Sequence, residues 1–175
     1  TQSTFANLEL AGNNTVSLGS NVYVAGTTNI MGTTSVASGA ALVVSGLLTA
    51  ASGTDLSALA NLSVIGNGSG FPLVHGVGPA NVYLSSGGTI NAPAGTETLP
   101  THLTVTGGSV LDIGANNLTI AGNLTYTTAS GARLYMTNAS GMLTVNGDAY
   151  FNAAEMGNAD LTAGTLQLKG NFTAQ

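Results

Sequence analysis

One five-residue pattern recurs along the chain: apolar, any residue, apolar, any residue, glycine. It reads Leu8-Glu9-Leu10-Ala11-Gly12, Val22-Tyr23-Val24-Ala25-Gly26, Leu42-Val43-Val44-Ser45-Gly46 and Leu62-Ser63-Val64-Ile65-Gly66. A looser copy starts at Val82-Tyr83-Leu84, with its glycine delayed to Gly87. The pattern returns at Leu103 to Gly107, Leu118 to Gly122, Leu143 to Gly147 and Leu166 to Gly170. From Val22 the starts fall at 42, 62, 82 and 103, in steps of 20, 20, 20 and 21 residues. A fixed period of this size signals a solenoid with one coil per repeat.

Within each copy the two apolar residues lie two apart, the periodicity of a strand with both side chains on one face. Val22 and Val24 are expected to point inward and Tyr23 outward. The glycine is expected to supply the positive φ of a corner. Second short strands are expected at Thr28 to Met31, Leu47 to Thr49, Leu124 to Tyr126 and Ala149 to Phe151. A coil of about 20 residues has room for three such strands. The expected fold is therefore all-β: a parallel β-helix of roughly triangular section, with residues 1–175 as one solenoid domain. At one strand spacing per coil, about eight coils give a rod on the order of 40 Å long. In the C-terminal part, Leu118 to Tyr126, Leu143 to Phe151 and Leu166 to Thr173 align with steps of 25 and 23. Extra corner residues are expected at Thr127 to Ala132 and Asn152 to Asp160. Leu8 and Val22, and likewise Leu103 and Leu118, are too close for a full coil and are assigned to different faces of consecutive coils. Around Thr54 to Asn61, either a short helix capped by Asp55 or a turn of the coil fits the residues.

Composition limits what such a rod can do. Only 5% of residues are charged, against about 25% in an average soluble domain. Its surface must then be Thr, Ser, Asn and Gly. Two basic residues, Arg133 and Lys169, cannot track a phosphate backbone, so no nucleic-acid partner is expected. No apolar run approaches the 18 or more residues of a membrane helix, and no membrane span is expected. The absence of cysteine removes disulfide and thiol chemistry. No basic region followed by an apolar one opens the sequence as a signal peptide would. Apolar motifs run close to both termini, without a charged or helical cap. The ends are therefore expected to be covered by further coils of a longer chain or by another copy of the protein.

The L-T-V-x-G-x-L repeats, with low charge and abundant Gly, Thr and Asn, resemble those of secreted bacterial β-solenoids. That group includes the filamentous haemagglutinin-like exoproteins and autotransporter passenger domains, and the resemblance spans roughly Leu8 to Phe172. It implies an extracellular or cell-surface location and roles in adhesion, aggregation or surface structure. It carries no binding residue over to this sequence. The architecture is also similar to that of β-helical polysaccharide lyases, which would need clustered acids and a Lys or Arg base.

Such a cluster is not found in the sequence. The acids are Glu9, Asp55, Glu97, Asp112, Asp148, Glu155 and Asp160, and no two stand two apart on one strand face. No enzymatic activity and no cofactor is expected. The nonapeptide that binds calcium in some solenoids is absent. His75 and His102 lack a third zinc ligand. Two Gly- and Pro-rich stretches, Gly70 to Ala80 and Ser86 to Pro100, read as loops leaving the coil. Loops on a rigid scaffold often carry binding, so Phe71, His75, Tyr83, Glu97 and His102 are the candidate contact residues. The middle position of the motif gives Glu9, Tyr23, Val43, Ser63, Tyr83, Thr104, Thr119, Thr144 and Gln167 as an outward row, Thr-rich only toward its end. An ice-binding ladder would need that Thr array sustained. Five tyrosines, Tyr23, Tyr83, Tyr126, Tyr135 and Tyr150, are spaced irregularly for a sugar-stacking stripe, and Tyr126 should point inward. Seven glycosylation sequons start at Asn13, Asn61, Asn67, Asn117, Asn123, Asn138 and Asn171. Several fall at corners, where Asn is favoured for turn reasons.

Three functions are carried forward. The first is a non-catalytic structural or adhesive segment of a bacterial surface protein, whose partners are neighbouring coils, other copies or host-surface glycans. The second is a filament subunit stacking end to end. The third is a module binding a glycan or ice.

Overall fold

The computed structural model describes residues 2–36, 39–65, 70–127, 131–151 and 160–174. The chain is all-β, and the described residues contain no helix. Nine parallel strands form one sheet along its whole length. They are Gln2–Phe5, Asn21–Val24, Ala41–Val44, Asn61–Ile65, Asn81–Ser85, His102–Val105, Leu124–Tyr126, Ala149–Phe151 and Phe172–Ala174. Each is one rung of a parallel β-helix. Val22, Leu42, Leu62, Val82, Leu103, Leu124, Ala149 and Phe172 stand in register, in steps of 20, 20, 20, 21, 21, 25 and 23 residues.

The other two sides of the triangle change along the rod. In the first four turns one side is Leu8–Leu10, Thr28–Ile30, Leu48–Ala50 and Leu73–Val74. The other is Thr15–Val16 and Ser35–Val36, extended by bridges from Ser35 to Asp55 and from Asp55 to Val77. From the fifth rung onward two new sheets take over. One holds Thr89–Asn91, Val110–Asp112 and Arg133–Tyr135; the other holds Thr96–Leu99, Asn117–Ile120, Met142–Val145 and Thr165–Leu168.

Two inward rows of the long sheet make the core. Val22, Leu42, Leu62, Val82, Leu103 and Leu124 form one; Val24, Val44, Val64, Leu84, Val105, Tyr126 and Phe151 form the other, all buried. β-branched and Leu side chains pack well on a pleated surface, and burying each contributes about 1.5–3 kcal/mol. Tyr126 points inward as expected, 2% exposed. It stacks on Phe151 at a ring distance of 5.1 Å, and Phe151 meets Phe172 at 5.7 Å. Burial pushes the Tyr126 phenol well above its usual range. Phe5, on the first described rung, is 42% exposed, and Phe172, on the last, is 54% exposed.

Several expectations change in detail. The stretch Thr54 to Asn61 is a turn, not a helix: Asp55 Oδ1 accepts from the Ser57 amide at 2.9 Å, and Leu56 and Leu59 enter the core. Gly70 to Ala80 does not leave the coil. It holds the strand Leu73–Val74, and Phe71 and Val74 are buried. Ser86 to Pro100 likewise holds the strands Thr89–Asn91 and Thr96–Leu99, with Ile90, Ala92 and Leu99 buried. Glycine and proline there mark corners, and a single buried residue per strand is enough to hold each side in place. Leu103 and Leu118 do lie on different faces, but less than one turn apart, within a single coil. The insertions expected at Thr127 to Ala132 and Asn152 to Asp160 fall largely outside the described residues.

The motif glycines are required chiefly for a reason other than positive φ. Gly12, Gly87 and Gly107 do have positive φ, of 117°, 68° and 64°, but Gly26, Gly46, Gly122, Gly147 and Gly170 do not. A Cβ on Gly46 would land against the carbonyl oxygen of Gly26, one rung below, and one on Gly147 against the Asn123 side chain and the Gly122 backbone. Corners stack backbone on backbone there, and only hydrogen fits between them.

Candidate functional site

The five candidate contact residues divide between core and surface. Phe71 is buried and packs in the core, so it is not positioned to touch a ligand. His75 and Glu97 meet where the first pair of side sheets gives way to the second: His75 Nδ1 lies 3.8 Å from Glu97 Oε2, and both side chains are partly exposed. Glu97 stands in register with Leu118, Leu143 and Leu166. A carboxylate there occupies a row that is apolar in every later turn, and His75 is its partner. The pair is an ionic one only when the imidazole is protonated.

His102 belongs to a different device. Its Nδ1 accepts the Asn123 amide at 2.7 Å; Asn123 Oδ1 accepts the Asp148 amide at 2.9 Å; Asp148 Oδ1 accepts the Asn171 amide at 2.8 Å. All four precede the first inward residue of a rung. The first three side chains each satisfy the backbone donor at the same corner one turn on. Asn21 does the same for the Ala41 amide at 3.0 Å, and Asn7 for Thr27 at 2.8 Å at another corner. A buried amide without a partner is unfavourable by about 1–3 kcal/mol; at these more exposed corners the side-chain acceptor takes the place water would otherwise fill. In the sequence alone, turn propensity accounts for these corner Asn residues and the ladder does not show. The signal was their fixed place, one residue before each inward position. Because Nδ1 accepts, neutral His102 carries its proton on Nε2 and offers a donor outward. His102 borders a shallow groove of about 440 Å³, lined among others by Ser57, Pro79, Pro100, Thr101 and Gly122. Thr101 closes its floor by donating to the carbonyls of Pro79 and Ala80.

Tyr83 faces outward on the long sheet. Its true row is Thr4, Tyr23, Val43, Ser63, Tyr83, Thr104, Thr125, Tyr150 and Thr173. Thr119, Thr144 and Gln167 stand on another side with Thr98, and Glu9 on a third. The outward row read from the motif therefore mixed three faces, because the same pentapeptide serves different sides in different turns. Thr144 is only 5% exposed, so the Thr98–Thr119–Thr144 run is not an open hydroxyl array. Tyr150 Oη donates to Asp148 Oδ2 at 3.2 Å, and the Asp148 charge holds the Tyr150 phenol above its usual range.

The remaining acids are scattered. Asp55 and Asp112 accept amides two residues on within turns, Asp160 is buried, and Glu155 lies outside the described residues. Among the described residues, no three His, Asp or Glu side chains converge as metal ligands would. Compared with known proteins, the chain matches no family model, no curated protein and no solved structure.

Proposed function

We propose that this chain is a structural and adhesive segment of an extracellular bacterial surface protein, acting as a rigid rod without catalysis. The observation that carries this reading is the unbroken nine-rung sheet. Its inward rows run from the first described rung to the last. A solenoid gains stability rung by rung, and its product is length and a repeating flank. The resemblance of the L-T-V-x-G repeats to secreted bacterial solenoids supports the location and the adhesive role.

A second reading, a subunit that stacks on its own copies, is favoured by one feature. In the two inward rows the last rung presents Phe172 and Ala174, and the first presents Ser3 and Phe5. Laid in register, each phenylalanine faces a small residue. Negative-stain electron microscopy over a range of concentrations separates the two. A rod segment gives short particles at every concentration, whereas a stacking subunit gives fibres that lengthen with concentration. Compact round particles would contradict both.

A further inference from the structure

Tyr23, Tyr83 and Tyr150 share the outward row of the long sheet, on its second, fifth and eighth rungs. Counted in residues the intervals are 60 and 67, and no order shows. Counted in rungs both intervals are three. At a strand spacing of about 4.8 Å the rings repeat every 14 Å or so along a straight line. Val43 and Ser63 fill the first interval, Thr104 and Thr125 the second. These are smaller side chains, so the rings stand above the row. Asn21, Asn61 and Asn81 lie two residues before the row on the same face. Ser85 and Thr106 lie two residues after it, and Thr127 Oγ1 meets Thr106 Oγ1 at 2.8 Å. No residue of the row is charged, and its flank carries His102, Asn123 and the carboxylate Asp148 two residues before it on later rungs.

We propose that this face binds a neutral linear polysaccharide laid along the rod, its sugars stacking on Tyr23, Tyr83 and Tyr150. An aromatic face takes the C–H face of a pyranose, and amides and hydroxyls on either side pair with its hydroxyl groups. An extended pyranose chain advances by about one strand spacing per sugar, so every third sugar meets a ring. The bond from Tyr150 to Asp148 fixes that ring's direction before binding. Low charge suits a neutral chain and disfavours a polyanion. This site deepens the adhesive part of the function proposed above and does not depend on what covers the ends.

The test is calorimetric titration of the whole chain with soluble β-1,4-linked glucan, mannan and xylan, and with their oligomers of increasing length. Affinity is expected to rise stepwise as oligomers become long enough to span two rings and then three. Tyr83→Ala weakens binding on the order of tenfold, the worth of one good aromatic contact. The triple variant Tyr23→Ala, Tyr83→Ala, Tyr150→Ala abolishes binding with an unchanged β-sheet circular dichroism spectrum. The triple Tyr→Phe variant retains it. The proposal is overturned if none of these polysaccharides binds, if affinity ignores oligomer length, or if the triple alanine variant binds as before. It is also overturned if the tyrosines turn out to mediate side-by-side association of two copies, seen as a dimer lost in that variant. Failure of any of these kinds leaves the rod itself standing, since particle shape in the microscope decides that separately.

Discussion

At the residue scale, the corners carry the tightest constraints. Gly46→Ala places a methyl group against the backbone of the rung below and is expected to destabilise the fold by about 2 kcal/mol or more, the range of overpacked sites. Gly19, where nothing lies within contact of a Cβ, serves as the control. Gly19→Ala should stay within about 0.5 kcal/mol of the parent, and urea denaturation of the two variants measures the contrast. The corner acceptors give a second test. His102→Ala leaves the Asn123 amide without its side-chain acceptor and should lose about 1 kcal/mol, while His102→Asn, which matches the residue at the next corner, should recover most of it. A third concerns pH. The Ser57 side-chain hydroxyl, and then the Ser57 amide, hydrogen-bond Asp55 and hold its carboxyl below the usual range. Its stabilising contribution is complete above the unfolded carboxylate pKa of about 3.9 and is lost as pH falls through the lower folded-state value. The effect is small because water reaches the carboxylate and screens it. Comparing urea midpoints at neutral and strongly acid pH should show a shallower acid loss for Asp55→Asn than for the parent.

At the scale of elements, the question is which strand sits on which face. The ladder from Val22 to Leu103 was legible because motif, spacing and face coincide there. Beyond Leu103 the pentapeptide moves to another side, at Leu118, Leu143 and Leu166, while the long sheet continues through Leu124, Ala149 and Phe172. Sequence spacing cannot announce that move, because a strand needs only one or two inward residues and Leu serves any face. The same ambiguity hid the tyrosine row: insertions between turns spoil its period in residues and leave its period in rungs intact. The Gly- and Pro-rich stretches read as excursions in the sequence because their strands are two to four residues long, too short for alternation to show. The aromatic stack offers a direct check of this packing. Phe151, between Tyr126 and Phe172, should lose about 3–5 kcal/mol on Phe151→Ala. Tyr126→Phe should be neutral or slightly stabilising, because the Tyr126 hydroxyl is buried with no partner among the described residues. Thermal unfolding of the two variants reads both.

At the scale of the whole molecule, rigidity and a repeating flank follow from one fact, the register of the long sheet. The ends, the corner ladder and the tyrosine row all inherit their spacing from it. The register departs furthest from the 20-residue period at the step of 25 residues between Thr125 and Tyr150. The chain has no cysteine, so cysteine pairs can be placed at will. Thr125→Cys with Tyr150→Cys sets two thiols on neighbouring rungs, at a Cα separation of about 5 Å that a disulfide spans. Thr104→Cys with Tyr150→Cys sets them two rungs apart, about 10 Å, beyond its reach. Mild oxidation of dilute protein, read on a non-reducing gel, should close the first pair within one molecule and leave the second open. Closure of the second pair with the first left open would show that the rungs are not stacked in this register, and the rod, its ladder and its tyrosine row would fall together.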